Sequence, residues 1–378
     1  MKCNQRLLLS LSALAISLSA GSAPLPQGLK ERPKAPEPKP GSIFGRIGAY
    51  REKALREGGG SAKSEAAVVH GLRWLVLQQS QDGSWKLDGD FKDRGAPNDI
   101  AGTAFGLLPF LGAGKTHKPA KNNPYHKTVD KGLQFLLRKQ DGQTGQLDGG
   151  MYAHALTTIA LTEAYGLSKD PKLREPGQLA VNYIVKAQHS AGGWRYQPGQ
   201  AGDTSVTGWH VMALVTAKMA GLNVPELTFR KAQQYFNSCC DTSAEGYGYV
   251  GPASFPTMSA VGLLCRQYLQ AWSPNNLRLI KGIQNNIERN PPGTMKNMYY
   301  HYYATQVMHH FGGEPWKAWN EKMRDLLVKT QDKTGSWSSQ GDTHGPAGGR
   351  LMITSLSLLT LEVYYRHVPL HRKTQSNK

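Results

Sequence analysis

The pattern Gln-x-x-x-Gly-x-Trp occurs three times in the chain, at residues 79–85, 188–194 and 331–337. A fourth copy at 140–147 has one extra residue before Gly145 and carries Leu147 in place of the Trp. Each copy ends a stretch of helical periodicity. Gly71-Leu72-Arg73-Trp74-Leu75 lines up with Gly132-Leu133-Gln134-Phe135-Leu136, and each run closes four residues later on the box glutamine, Gln79 or Gln140. Recurrence of one unit at a regular interval marks a repeat architecture, in which single units cannot bury their apolar faces alone. The box has a mechanical sense. Gly takes the left-handed conformation that stops a helix, the Trp folds back over the helix end, and the Gln amide bonds freed backbone groups. It pins helices and performs no chemistry.

Equivalent helix ends fall near residues 79, 140, 188, 239, 290 and 331, the fourth and fifth without Gln and Trp. Between them lie six more helical stretches at 100–112, 152–166, 206–221, 258–272, 299–312 and 351–366. These are poorer in charge, and helices apolar on most faces belong inside. No run alternates with period two for long enough to predict a strand. The expectation is an all-α fold, an α/α toroid of six inner and six outer helices, with a straight solenoid as the alternative.

The chain ends read differently from this body. Lys2, Arg6 and the apolar stretch 7–19, followed by Gly21 and Ala23, read as a secretory signal over residues 1–23. The stretch is shorter than the roughly 20 apolar residues that span a bilayer, so an exported protein, periplasmic or extracellular, with no transmembrane segment after signal removal is expected. Residues 24–63 are rich in Pro and charge and read as a linker, 64–370 as the toroid domain and 371–378 as a basic tail. The net charge of +18 suits polyanions or a solvated surface, and export leaves nucleic acid out. Cys239, Cys240 and Cys265 are too few for a disulfide framework and lack metal-ligand spacing. No metal or cofactor is expected.

The boxes, with Gly192-Gly193-Trp194 among them, resemble the repeat of the prenyltransferase and squalene cyclase superfamily over about residues 64–370. The resemblance implies a toroid with its active site in the central cavity, at one end of the inner helices. Squalene-hopene cyclases protonate their substrate from a DxDDT motif. The nearest segment, Gln200-Ala201-Gly202-Asp203-Thr204, keeps only the last Asp and the Thr. Protein prenyltransferases hold zinc through Asp, a Cys two residues on, and a later His. Here Ser205 stands in the Cys position and residues 255–258 contain no His. The thioester-forming relatives need Cys-Gly-Glu-Gln, which does not occur.

Asp203 is the candidate catalytic acid, or alternatively the cap of the helix it precedes. Asp99 and Asp148 precede the first and second inner helices and invite the same two readings. Tyr152, Trp209, His210 and Tyr299 are candidates to line a cavity, where aromatic faces hold sugar rings or steady a cation; packing between helices is the alternative for each. Gly246-Tyr247-Gly248-Tyr249 is a further candidate for the rim. The leading expectation is an exported binding or scaffold protein that lacks the superfamily's acids and zinc ligands, with a lipid, polyprenyl or glycan ligand. The alternatives are a terpenoid cyclase-like or transferase-like enzyme, and a secreted polysaccharide hydrolase or lyase using cavity carboxylates.

Overall fold

Six helices form the outer layer: α2 (Ala62–Gln78), α4 (His126–Lys139), α6 (Pro171–Lys186), α8 (Glu226–Ser238), α10 (Leu277–Gly282, continued by the π-turn Ile283–Ile287) and α12 (Gly313–Thr330). Alternating with them are the inner helices α3 (Asp99–Gly112), α5 (Gly150–Ser168), α7 (Thr204–Ala220), α9 (Pro256–Gln270), α11 (Met298–Phe311) and α13 (Gly345–Leu361). Each inner helix packs on the next, and α13 packs on α3, so the inner layer closes into a ring. The computed structural model describes residues 38–39 and 42–371, all in one unit that begins at Pro38. The expected signal segment at 1–23 and the tail from 372 onward lie outside the described residues.

The boxes close the outer layer in the same way four times. Gln79 Nε2 donates to Gly83 O and to Thr128 O in the next outer helix. Gln140 does so to Gly145 and Pro176, Gln188 to Gly192 and Thr228, and Gln331 to Gly335 and Ala67. The last of these joins α12 to α2. Gly83, Gly145, Gly192 and Gly335 all have φ between 77° and 98°, and a Cβ on any of them would collide with the neighbouring outer helix within 2.4 Å. Only glycine fits there, for reasons of both conformation and space.

The tryptophans tie outer to inner helices. Trp85, Trp194 and Trp337 donate Nε1–H to the carbonyl ten residues earlier, Leu75, Ile184 and Leu327, at 2.7, 2.8 and 2.9 Å. Their backbone N–H groups donate to Thr103, Thr207 and Thr354 of the following inner helix. Where the Trp is missing the tie persists: Leu147 N–H meets His154 Nδ1, and Tyr247 N–H meets Ser259 Oγ.

Three features differ from the sequence expectation. Residues 42–61 fall in the expected linker, whose charged stretch from Tyr50 reads as a short helix stopped by Gly58-Gly59-Gly60; that helix is α1 (Gly48–Gly58), but the segment also packs onto the fold, with Ile43–Arg46 in a 3₁₀ turn and Ile43 and Arg46 buried. The reason is the polar anchoring of Arg46, which charge composition alone does not disclose. A two-stranded hairpin, Cys240–Asp241 with Gly246–Tyr247, interrupts the helical pattern. The sixth inner helix starts earlier than expected, kinks at Gly349 (φ 60°) and ends in the separate short helix α14 (Val363–Arg366).

Candidate functional site

Outer and inner helices alternate along the chain, so all six inner helices start at the same end of the ring, together with the boxes and long loops. Links between their first residues knit this rim: Asn98 Nδ2 to Gly149 O, Thr204 N to Tyr249 O, and Asn297 Nδ2 to Thr257 Oγ1.

Trp209 lies on the ring axis. It meets Phe105 of α3 edge-on at 6.3 Å, stacks on Tyr302 of α11 at 5.6 Å and touches Tyr299 and Tyr303. Helices α3, α7 and α11 are alternate members of the ring, so side chains from them meet only across its centre. Trp209, Tyr302 and Tyr303 are wholly buried. Tyr152 of α5 reaches the Tyr299 hydroxyl at 3.3 Å from the opposite wall, and Tyr299 donates to Ser205 O. Burial pushes the Tyr152 and Tyr299 hydroxyls upward, so both stay protonated at neutral pH. The middle of the toroid is therefore filled by an aromatic plug.

The candidate residues divide accordingly. Tyr152, Trp209 and Tyr299 come together in this plug. His210 does not join them: it faces the wall, stacked on Trp194 at 5.2 Å and 8°, with Nδ1 against Val206 O. Burial pushes it down to about 3. Within the 299–303 run, Tyr299, Tyr302 and Tyr303 point inward. Tyr300 donates to Asn290 O, and His301 lies 3.1 Å from Met295 O.

The three candidate acids do not converge. Asp203 is fully buried at the start of α7, where Oδ1 accepts from Val206 N at 2.8 Å and Ser205 Oγ at 2.7 Å. That is an N-cap. Its Oδ2 lacks a hydrogen bond and faces Arg195 Nε at 3.7 Å. Asp99 is only the first residue of α3, which Asn98 caps through Ala101 N, and Asp148 is exposed on a loop near Tyr183 of the outer layer. A pair of facing carboxylates is not formed by these three. Among the described residues no group of three or more His, Cys, Asp or Glu is placed to hold a metal ion, and no helix is long and apolar enough to cross a membrane.

Two residues that sequence reasoning missed, Arg195 and Tyr196, lie beside Asp203. Arg195 lies between the rings of Tyr196 and Tyr249 at 5.6 and 5.5 Å, and the two tyrosine hydroxyls are 2.6 Å apart. Tyr196 also stacks on Tyr152. It is 45% exposed, Val250 59% and Phe255 54%, giving the rim an aromatic surface beside a cation. The signal was present in sequence: Arg195 and Tyr196 directly follow the box Trp194, at the point where each repeat enters the rim. Of the hairpin tyrosines, Tyr249 joins this rim, while Tyr247 is buried in the wall beneath Arg266.

No family model matches the sequence. Over 175 residues the chain is 30% identical to a drimenyl diphosphate synthase of Streptantibioticus cattleyicolor, a match covering 44% of this chain. A second drimenyl diphosphate synthase, from Streptomyces showdoensis, is 28% identical over 141 residues, or 36% of the chain. These matches span only 30% and 24% of those two proteins. Among solved structures, the type II terpene cyclase MstE from Scytonema superposes with a TM-score of 0.56 at 12% identity, over 80% of this chain and 98% of that one. A GH76 α-mannanase from Bacteroides thetaiotaomicron gives 0.59 at 9% identity, over 83% and 98%. The closed double ring with its Gln-Gly-Trp clasps is the α/α-toroid fold that the terpene cyclase and the mannanase share, and the chain is similar in sequence to part of the drimenyl diphosphate synthases.

Proposed function

We propose that this chain is a non-catalytic binding toroid that holds a glycan at the rim where its boxes lie. The observation that carries the reading is the aromatic plug. Trp209 has no exposure and meets side chains from across the axis, which leaves no passage for a polyprenyl chain where a cyclase would fold one. A sugar laid on the rim needs no such passage. Tyr196 offers a face for stacking, and Arg195, Tyr249 and Gln200 offer polar groups around it. Support also comes from a neighbour of the same fold, an inactive variant of a GH76 α-1,6-mannanase of Salegentibacter in complex with α-1,6-mannotriose, at 10% identity. Asp203, engaged as a cap, gives no second carboxylate for hydrolysis. Export, read from residues 1–23, is part of the proposal, and cell fractionation tests it.

The test is calorimetric titration with α-1,6-mannotriose, alongside assays for released sugar and for turnover of geranylgeranyl diphosphate. Binding without turnover, weakened about tenfold or more by Tyr196→Ala, is the expected result. Product from either substrate, or binding that ignores Tyr196, would overturn it. The second reading, a terpenoid cyclase-like enzyme, rests on the match to the drimenyl diphosphate synthases and on Asp203. It requires the plug to open, and a cyclised product would establish it.

A further inference from the structure

The rim carries more aromatic surface than Tyr196 alone. Tyr196 stacks on Tyr152 of α5 at 6.4 Å and 23°, and the Tyr152 hydroxyl lies 3.3 Å from that of Tyr299 on α11. The Tyr299 ring is in turn 5.0 Å from the imidazole of His344, the residue just before α13. Helices α5 and α11 stand opposite each other in a ring of six. The four rings therefore form one track across the mouth of the toroid, not a patch on one side of it. Its floor is Tyr299, buried as part of the plug, and its ends are the exposed Tyr196 and the half-buried His344. Both ends are fixed by backbone bonds. Tyr196 O accepts from Met151 N at the start of α5, and Asp342 accepts from His344 N at 2.8 Å and from Met298 N at 2.7 Å. One carboxylate thus joins the starts of α11 and α13 and sets the position of His344, which lowers the cost of ordering the site when a ligand arrives.

A pyranose has an apolar face of C–H groups and an edge of hydroxyls, so aromatic rings suit the first and paired donors and acceptors the second. His344 supplies both. Its side chain makes no capping bond to α13, and burial keeps it below the ordinary histidine value against the pull of Asp342. At neutral pH it is an uncharged imidazole with one donor and one acceptor, a match for hydroxyl groups. A single sugar stacked on Tyr196 would leave this far end of the track empty. Resting on the glycan reading above, we propose that the rim is an extended site for a linear oligosaccharide, laid from Tyr196 over Tyr152 and Tyr299 to His344. His344 is then the residue that selects a chain of sugars over a single one.

The experiment titrates the full chain with α-1,6-mannotriose by calorimetry and measures mannose by its competition with the trisaccharide. Mannotriose is expected to bind about tenfold or more tightly than mannose, beyond the statistical advantage of its repeated units, because a second end of the track is engaged. His344→Ala should remove about that factor for mannotriose and leave mannose unchanged. Its melting temperature should match the parent's, since the side chain caps nothing. Tyr196→Ala, by contrast, should weaken both sugars. Equal affinity for the two sugars, or mannotriose binding that ignores His344→Ala, overturns the extended site while the glycan reading still stands on Tyr196. Binding of neither sugar overturns both. If His344→Ala melts below the parent, the ratio of mannotriose to mannose affinity in the parent chain decides the proposal.

Discussion

The side-chain amide of Gln331 donates to the backbone carbonyl of Ala67 across 2.8 Å and so joins the last outer helix to the first. The same amide holds Gly335 O at 2.8 Å. Gln331→Ala removes both bonds, and the expected loss is roughly 1–3 kcal/mol, read as a lower midpoint in urea denaturation. Gln79→Ala, whose bonds to Thr128 and Gly83 are 2.9 and 3.0 Å, should cost about the same. An unchanged midpoint for both would mean that the clasps do not hold the ring shut.

Trp194 is expected to matter through its N–H as well as its bulk. Trp194→Phe keeps a ring against His210 but strands the Ile184 carbonyl, now held at 2.8 Å, for roughly 1–3 kcal/mol. Trp194→Ala adds a cavity in the wall and should cost about 3–5 kcal/mol. Thermal melts of the two variants, ranked in that order, check the assignment.

Asp203 separates capping from catalysis. Asn is as good an N-cap as Asp, so Asp203→Asn should shift stability little, while Asp203→Ala should cost about 0.5–2 kcal/mol. A proton donor predicts a different pattern. Any turnover of a polyprenyl substrate that Asp203→Asn abolishes, with its melting temperature intact, would assign Asp203 to chemistry.

The toroid was legible because its clasps use residues with little substitute: Gly335 sits at φ 98° against His70 O, and only glycine fits. Helical spacing puts Tyr299, Tyr302 and Tyr303 on one face of α11, but does not say that this face looks inward. The plug itself was not legible, since the meeting of Trp209 with Phe105 and Tyr302 depends on ring diameter, which no local pattern encodes. His210 was misassigned for a related reason. On a helix buried on all faces, the sequence does not say which face looks inward, and the stack on Trp194 decides it. Arg46 looked like one more charge in a linker, because its partners Glu163 and Arg366 are far away along the chain.

Acid should unfold this protein through its buried histidines. His154 accepts from Leu147 N through Nδ1, which leaves Nε2–H to donate to Ala180 O, so a second proton has no place. Burial pushes His154 and His309 down to about 4 and His210 to about 3, from 6.5. Above pH 6.5 each stays neutral in both folded and unfolded chains, and their contribution to stability is complete. As pH falls toward 4 the unfolded chain gains protons that the fold refuses, and stability drops by up to about 1.4 kcal/mol per pH unit for each group. Urea denaturation at pH 7, 5.5 and 4.5 should show this decline, with a shallower slope for His154→Asn. A midpoint that does not move across this range would mean that these rings take up protons freely.

Glu163 is the carboxylate shared by Arg46 and Arg366, which makes its removal as severe as Trp194→Ala. Burial opposes its ionised form, but Arg46 and Arg366 outweigh that and hold its carboxyl below the ordinary value. Glu163→Gln would leave two guanidiniums facing each other in a dry site, and breaking a buried pair in this way costs about 3–5 kcal/mol. Arg46 carries a further consequence, because it also donates to Leu111 O and Arg366 O and fastens residues 42–46 to the closed end of the ring. Combining Arg46→Met with Glu163→Gln removes the mismatch from one side and should recover part of the loss, so the double variant is expected to melt above Glu163→Gln alone. Limited proteolysis reads the anchoring separately. In Arg46→Met the segment before α1 should be cut sooner than in the parent chain, while the ring from α2 onward stays protected. Equal cleavage rates would mean that α1, through the bonds of Gly58 and Gly59 carbonyls to Trp316 and Asn320, holds this segment without help from the buried arginine.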